Sequence, residues 1–189
     1  IPAFLFCWSL RYWEPIIQGG SLHVTFAWLP QLGIHFSLGQ DGLSYLFTLL
    51  ITGIGTFIFV YADRYLGPDE DRGKFFSYLF LFITAMLGVV LSRNLVPLYA
   101  FWEMTSIVSF LLIGFWFHRQ ASREGALKSL LITMGGGLAM LVGFIILYLT
   151  TGTLEIQELL QRSSNIVGHP LYPVILVLIL LGAMTKSAQ

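Results

Sequence analysis

Charge is what this sequence has least of. Only 11% of its 189 residues are Asp, Glu, Lys or Arg, against about 25% in an ordinary soluble domain. The 10 basic and 10 acidic residues cancel, so no bulk charge points to a nucleic-acid partner. Cys7 stands alone, which excludes an internal disulfide and a cysteine-built metal cage. No cluster of metal-ligand spacing, Ser-His-Asp arrangement or dinucleotide fingerprint is present, so neither a catalytic residue, a metal nor a cofactor is expected. Gly135-Gly136-Gly137 lacks the preceding strand and the following Lys-Ser or Lys-Thr of a phosphate loop. With Gly53 and Gly55, it reads instead as close helix packing.

What the chain has in excess is apolar surface: 56% hydrophobic and 15% aromatic residues. Such a chain cannot clothe itself for water, and lipid is the solvent it fits. A spanning helix needs about 20 mostly apolar residues. The runs 43–61, 75–91, 95–117, 126–149 and 171–189 meet or approach that length, and residues 1–10 read as the end of another. Backbone groups in hydrocarbon must be paired within the segment, which predicts helices. The expected architecture is an all-α integral membrane bundle, one unit over 1–189, truncated at both ends. Residues 21–38 differ. Leu22, Val24, Phe26 and Trp28 alternate with more polar neighbours, Pro30-Gln31-Leu32-Gly33 interrupts, and Ile34, Phe36 and Leu38 alternate again. That pattern predicts a short β-hairpin outside the hydrocarbon.

The loops give an orientation. Arg64, Arg72, Lys74, Arg119, Arg123 and Lys128 fall on one side, and Arg11, Arg93 and Arg162 on the other. The basic excess makes the first side cytoplasmic. Asp69-Glu70-Asp71 count little in that rule, and Asp63 and Arg64 read as solvated loop. The hairpin and the loop 151–170 then face outward.

Two charges fall inside apolar helices. Glu103 is the only charged residue between Arg93 and His118. It lies roughly 12 Å along its helix from Leu95, near the middle of a core about 30 Å thick. Lys186 follows a charge-free run from Leu171 to Met184. Hydrocarbon disfavours the charged form of either group, so such residues face the bundle interior, a partner or an ion path. A carboxylate and an amine on neighbouring helices can exchange proton affinity as they close and open. The plainer reading is a buried salt bridge that only fixes packing. Ser106 and Tyr99 are expected to support Glu103 by hydrogen bonding. Lys128 near a helix end and His118 at the same mouth are possible relay groups. Asp41, at the start of a helix, reads mainly as a carboxylate favoured by the helix dipole.

At this point the segments resemble a known family. Gln40-Asp41-Gly42-Leu43-Ser44, Phe101-Trp102-Glu103-Met104-Thr105-Ser106, Ser109 to Trp116, and Gly182 to Gln189 are similar to the antiporter-like subunits shared by respiratory complex I and the Mrp cation/proton antiporters. The resemblance runs from about residue 20 to the end, and covers only an N-terminal part of a family member. Within it, Thr185 before Lys186 and Met104 after Glu103 resemble the large A-type subunits of Mrp Na⁺/H⁺ antiporters. Complex I relatives tend to carry Gly at both places. The resemblance implies a proton-translocating, non-enzymatic subunit of a Na⁺/H⁺ antiporter in the bacterial cytoplasmic membrane. It also implies hydrophobic partner subunits, protons and Na⁺ as cargo, and Glu103 with Lys186 as a charged pair beside a helix break. The alternatives are a proton-pumping subunit of complex I or a related redox complex, and a scaffold without transport.

Overall fold

The computed structural model describes the whole chain except Pro30, Leu32, Gly33, Asp69, Ala188 and Gln189, and the side chains of Trp28 and Asn165. Most of the expected hairpin turn therefore lies outside the described residues, as do Asp69 and the last two residues of the Gly182–Gln189 segment.

Long apolar runs become helices, and among the described residues four are long and apolar enough to cross a membrane: α3 (Gly42–Tyr65), α4 (Arg72–Leu91), α5 (Leu95–Ile113) and α6 (Gln120–Thr151). A fifth, α9 (Tyr172–Lys186), is apolar but shorter. Ahead of them, α1 (Pro2–Ser9) and α2 (Trp13–Ile17) are joined by a 3-10 turn. Short helices α7 (Ile156–Gln161) and α8 (Ser163–Val167) connect α6 to α9. The long helices pack in chain order, α3 on α4, α4 on α5, α5 on α6 and α6 on α9, with α1 against α3. Their outer faces keep large apolar side chains exposed, Phe57 at 77% and Leu149 at 75% among them. In water that surface would be unstable; in lipid it is the solvated face. The chain is a multi-pass membrane protein with a small sheet.

That sheet pairs β1 (Leu22–Leu29) antiparallel with β2 (Ile34–Gln40), Phe26 opposite Phe36, with an irregularity between Ala27 and Leu29. It sits at one end of the bundle. There the Arg93 backbone N–H donates to Ser37 O at 2.8 Å, and Leu38 bridges to Ser92. The α6–α7 loop joins the same end, since Asn94 bridges to Glu155 and the Leu95 N–H donates to Leu154 O at 2.9 Å. At the other end, the Trp116 indole N–H donates to Glu70 Oε1 and Phe75 meets Phe115 edge-on. The two most basic loops thus share one end, and the hairpin shares the opposite end with 151–170.

Helix limits follow local chemistry. α3 runs past Tyr61, so Asp63 and Arg64 are helical rather than loop. No breaker occurs before Gly67-Pro68, and Arg64 in the last turn suits the negative end of the helix dipole. Asp63 faces Arg72 at 3.7 Å across the short α3–α4 connection. α5 starts on Asn94, whose side chain accepts from the Val96 N–H at 3.0 Å. Pro97 sits in the first turn, where a missing N–H costs nothing. α6 ends at Gly152 with φ +72, the left-handed cap that glycine adopts without strain.

Candidate functional site

The core of the candidate site is built by α5, α6 and α9. α6 stands between the other two and is pared down to glycine where they approach. A Cβ on Gly136 would overlap Thr185 Oγ1 of α9, and one on Gly182 would lie 2.5 Å from Met140 Cβ and 2.9 Å from Gly136 O. Backbone therefore meets backbone at this crossing, as small residues permit in membrane helices. The close approach brings the last residue of α9, Lys186, within reach of α5.

Lys186 does not end on Glu103. Its ammonium donates to Thr105 Oγ1 at 2.7 Å and to Ser106 Oγ at 2.6 Å, and lies 5.8 Å from the Trp102 ring centroid. Thr105 and Ser106 are buried, at 6% and 1% exposure. Thr105 also donates to Trp102 O at 2.6 Å. Hydrogen bonds to a charged group are worth about 1.5–3 kcal/mol each, so this cradle is a real competitor to the carboxylate. Glu103 precedes the two hydroxyls by less than one turn. Its Oε1 is buried and has no hydrogen-bond partner among the described residues. The ion pairs among those residues are Arg72–Asp63, Arg93–Asp41 and Arg162–Glu158; Glu103 and Lys186 form none within 4 Å. The two groups nevertheless act on each other electrostatically. The arrangement is a carboxylate and an amine on different helices, close enough to couple and not closed.

Of the other expected residues, Ser106 belongs to this cluster, as a partner of Lys186. Tyr99 is one turn before Glu103 and within reach of its field; it lines an apolar groove with Leu141, Phe144 and Tyr148. Lys128 is exposed on α6, and its side chain makes no ion pair or hydrogen bond among the described residues. His118 is exposed in the α5–α6 turn, its ring centroid 3.7 Å from that of Phe117. The structure does not bring either into the Glu103–Lys186 cluster.

Asp41 lies apart, at the hairpin end. It caps α3 in a reciprocal box: the Ser44 N–H donates to Asp41 Oδ1 at 2.9 Å, and the Asp41 N–H donates to Ser44 Oγ at 2.7 Å. Arg93 Nη2 stands 2.9 Å from its Oδ2. Burial works against the charge on Asp41, but the Ser44 hydrogen bonds and then Arg93 outweigh it and hold the carboxyl at about 2. Beside this pair, Glu155 Oε1 accepts from Asn94 Nδ2 at 2.8 Å and from Ser37 Oγ at 3.3 Å. Ser21, His23, Asp41, Arg93 and Gln157, together with the apolar Ile156 and Leu160, line a cavity of about 440 Å³ there.

Sequence reasoning missed Thr105 and Trp102 as site residues, and Arg93, Asn94 and Glu155 as a connected group. The hydroxyl pair carried a signal: two small polar side chains two and three residues after a lone carboxylate, on a largely apolar helix. The Asn94–Glu155 contact carried none, since 61 residues separate its partners.

Comparison with known proteins gives a consistent set. The family described as "NADH:quinone oxidoreductase/Mrp antiporter, TM" matches residues 92–189, and "NADH-Ubiquinone oxidoreductase (complex I), chain 5 N-terminus" matches 18–76. The A-type Na(+)/H(+) antiporter subunit of Alkalihalophilus pseudofirmus is 48% identical over all of this chain and 24% of its own length. The A1-type Na(+)/H(+) antiporter subunit of Staphylococcus haemolyticus is 50% identical with the same coverage. The chain thus spans about a quarter of the length of the curated relatives it matches. Among solved structures, the Mrp complex from Dietzia sp. DQ12-45-1b matches all of this chain and 20% of its own, with 34% identity and a TM-score of 0.88. Respiratory complex I from Thermus thermophilus shares the fold at 22% identity, with a TM-score of 0.81 over 97% of this chain and 37% of that one.

Proposed function

Since this chain belongs to the NADH:quinone oxidoreductase/Mrp antiporter transmembrane family, we propose that it is part of a proton-translocating subunit of a multisubunit Na⁺/H⁺ antiporter, with Glu103 and Lys186 as its protonation switch. The observation that carries this reading is the open pair: Lys186 held by Thr105 and Ser106, and Glu103 Oε1 buried without a hydrogen-bond partner among the described residues.

A closed, hydrogen-bonded pair in hydrocarbon holds both charges and resists titration. An open pair leaves each group exposed to the cost of its own charge. A proton arriving at Glu103 removes the attraction that would draw Lys186 across. A proton leaving restores it. Movement of the ammonium between hydroxyl cradle and carboxylate is then coupled to proton occupancy, which is what ion exchange requires. No covalent chemistry enters, and the subunit is a transporter rather than an enzyme. Lys128 and His118 serve as entry relays from the basic end. Lys128 lies roughly 13 Å along α6 from Gly137, so a relay through it needs intermediate carriers. Neighbouring hydrophobic subunits complete the path.

The curated relatives named above are antiporter subunits, which favours antiport over a proton pump driven by redox chemistry. The deciding experiment places Glu103→Gln in the complete complex and measures ΔpH-driven Na⁺/H⁺ exchange in vesicles. Exchange falls by ~10²-fold or more while assembly is retained. Near-normal exchange in an assembled complex sinks the role given to Glu103.

A further inference from the structure

Three consecutive glycines of α6 point in three directions, since successive helical residues turn by about 100°. A Cβ on Gly135 would meet nothing within 4 Å. One on Gly136 would overlap Thr185 of α9, which accounts for the tight α6–α9 crossing. One on Gly137 would overlap Glu103 Oε1, with Glu103 Cδ at 2.9 Å and Oε2 at 3.4 Å. Gly137 is thus open not to a helix but to a carboxylate, and the oxygen it faces is the buried, unpartnered one.

We propose that Gly137 is a positioning residue for Glu103: the absent side chain leaves a niche on α6 that parks the carboxylate away from Lys186 and keeps the pair open. This rests on the switch reading above and adds the part that sets the resting state. Gly136 and Gly182 already provide the α6–α9 contact, so packing of those helices does not require a glycine at 137. The atoms in the niche are the far end of a flexible side chain. A methyl group there displaces the carboxylate before it displaces a helix. The carboxylate then moves toward the charge that attracts it, Lys186 of α9. Tyr99, on its own helix, also lies within its field. A pair closed by sterics no longer opens and closes with the proton.

The test is Gly137→Ala in the full-length protein within its complex, with Gly135→Ala as the control. Both changes favour helix, so a loss is not a weakened α6. Gly137→Ala lowers ΔpH-driven Na⁺/H⁺ exchange ~10-fold or more, and Gly135→Ala stays within ~twofold. In a cryo-EM structure of the Gly137→Ala complex the carboxylate has left α6 and lies within about 4 Å of Lys186 Nζ. Combined with Glu103→Asp, whose carboxylate is one methylene shorter, Gly137→Ala no longer perturbs assembly or the position of the carboxylate. Wild-type exchange in Gly137→Ala overturns the niche, as does a carboxylate left in place against α6. If Gly137→Ala alone blocks assembly, recovery on adding Glu103→Asp supports the niche and failure to recover overturns it. Failure of the switch reading looks different: Glu103→Gln then exchanges normally, whatever Gly137→Ala does.

Discussion

Two of the chain's carboxylate–cation couples, Asp41–Arg93 and Glu103–Lys186, are built in opposite ways. At the hairpin end, Asp41 and Arg93 are closed as an ion pair at 2.9 Å, without an aligned hydrogen bond at Arg93 Nη2 among the described residues, and the carboxylate is held by the Ser44 N–H and hydroxyl. Between α5 and α9, Glu103 and Lys186 are not closed: the ammonium rests on Thr105 and Ser106, and one carboxylate oxygen has no hydrogen-bond partner among the described residues. The first couple ties the start of α3 to the turn before α5, and half of its carboxylate faces solvent. Its contacts are those of a fastening. The second couple leaves unmade the contact that would be strongest in hydrocarbon. A buried acceptor without a partner costs about 1–3 kcal/mol, and a bundle selected only for stability would have closed the pair. The difference separates a charge used to hold from a charge kept available.

Lys186→Ala tests that contrast hardest. On the switch reading it lowers exchange in vesicles by ~10²-fold or more, with the complex still assembled. If it instead prevents assembly while exchange per assembled complex survives, the second couple is a fastening too. Next in size is the cradle. Thr105→Val with Ser106→Ala removes both acceptors from the ammonium and lets it close on Glu103. Each lost bond is worth about 1.5–3 kcal/mol, so exchange falls ~10-fold. Unchanged exchange would mean that the hydroxyls do not hold the resting state.

How much of this contrast the sequence revealed depends on what each part is made of. The helices were legible because lipid demands long apolar runs, and the hairpin because its alternation has period two. The end of α3 was not, because charged Asp63 and Arg64 read as loop while the helix continues through them to Tyr65. Glu103 and Lys186 stood out as charges where none is cheap. Their relation did not, because composition cannot say whether two charges touch. The glycine run was read as packing, and at Gly136 it is. At Gly137 the neighbour is a side chain from another helix, which only the crossing geometry reveals. Asp41 was legible as a carboxylate at a helix start, but its reciprocal box with Ser44 and its pairing with Arg93, distant in sequence, were not.

A change to the closed couple separates stability from transport. Arg93→Ala removes a partly exposed ion pair, worth about 0.2–1 kcal/mol in such settings. The melting temperature of the detergent-solubilised complex drops by a few degrees, and exchange per assembled complex stays within ~twofold. Exchange lost with an unchanged melting temperature would put Asp41 and Arg93 in the ion path and erase the distinction between the couples.

The smallest effect sharpens the contrast through acid. The Asp41 carboxyl is held at about 2 in the folded chain, below its ordinary 3.8. A group whose folded value is depressed contributes stability above the unfolded value, and loses it as pH falls through the folded one. The contribution of the charge is therefore complete above about pH 4 and fades between about pH 4 and pH 2. Asp41→Asn keeps an N-cap acceptor but not the charge, so it is less stable than the parent at neutral pH by a small margin, about 1 kcal/mol or less, with solvent screening the exposed half. Thermal melts of both proteins in detergent from neutral pH down to pH 2 should show a constant gap that then closes. Added salt narrows the gap at neutral pH, because a half-exposed pair is screened. A gap that widens toward acid would mean that Asp41 is not held ionised by Ser44 and Arg93, and the first couple would no longer be the fixed reference against which the second is read.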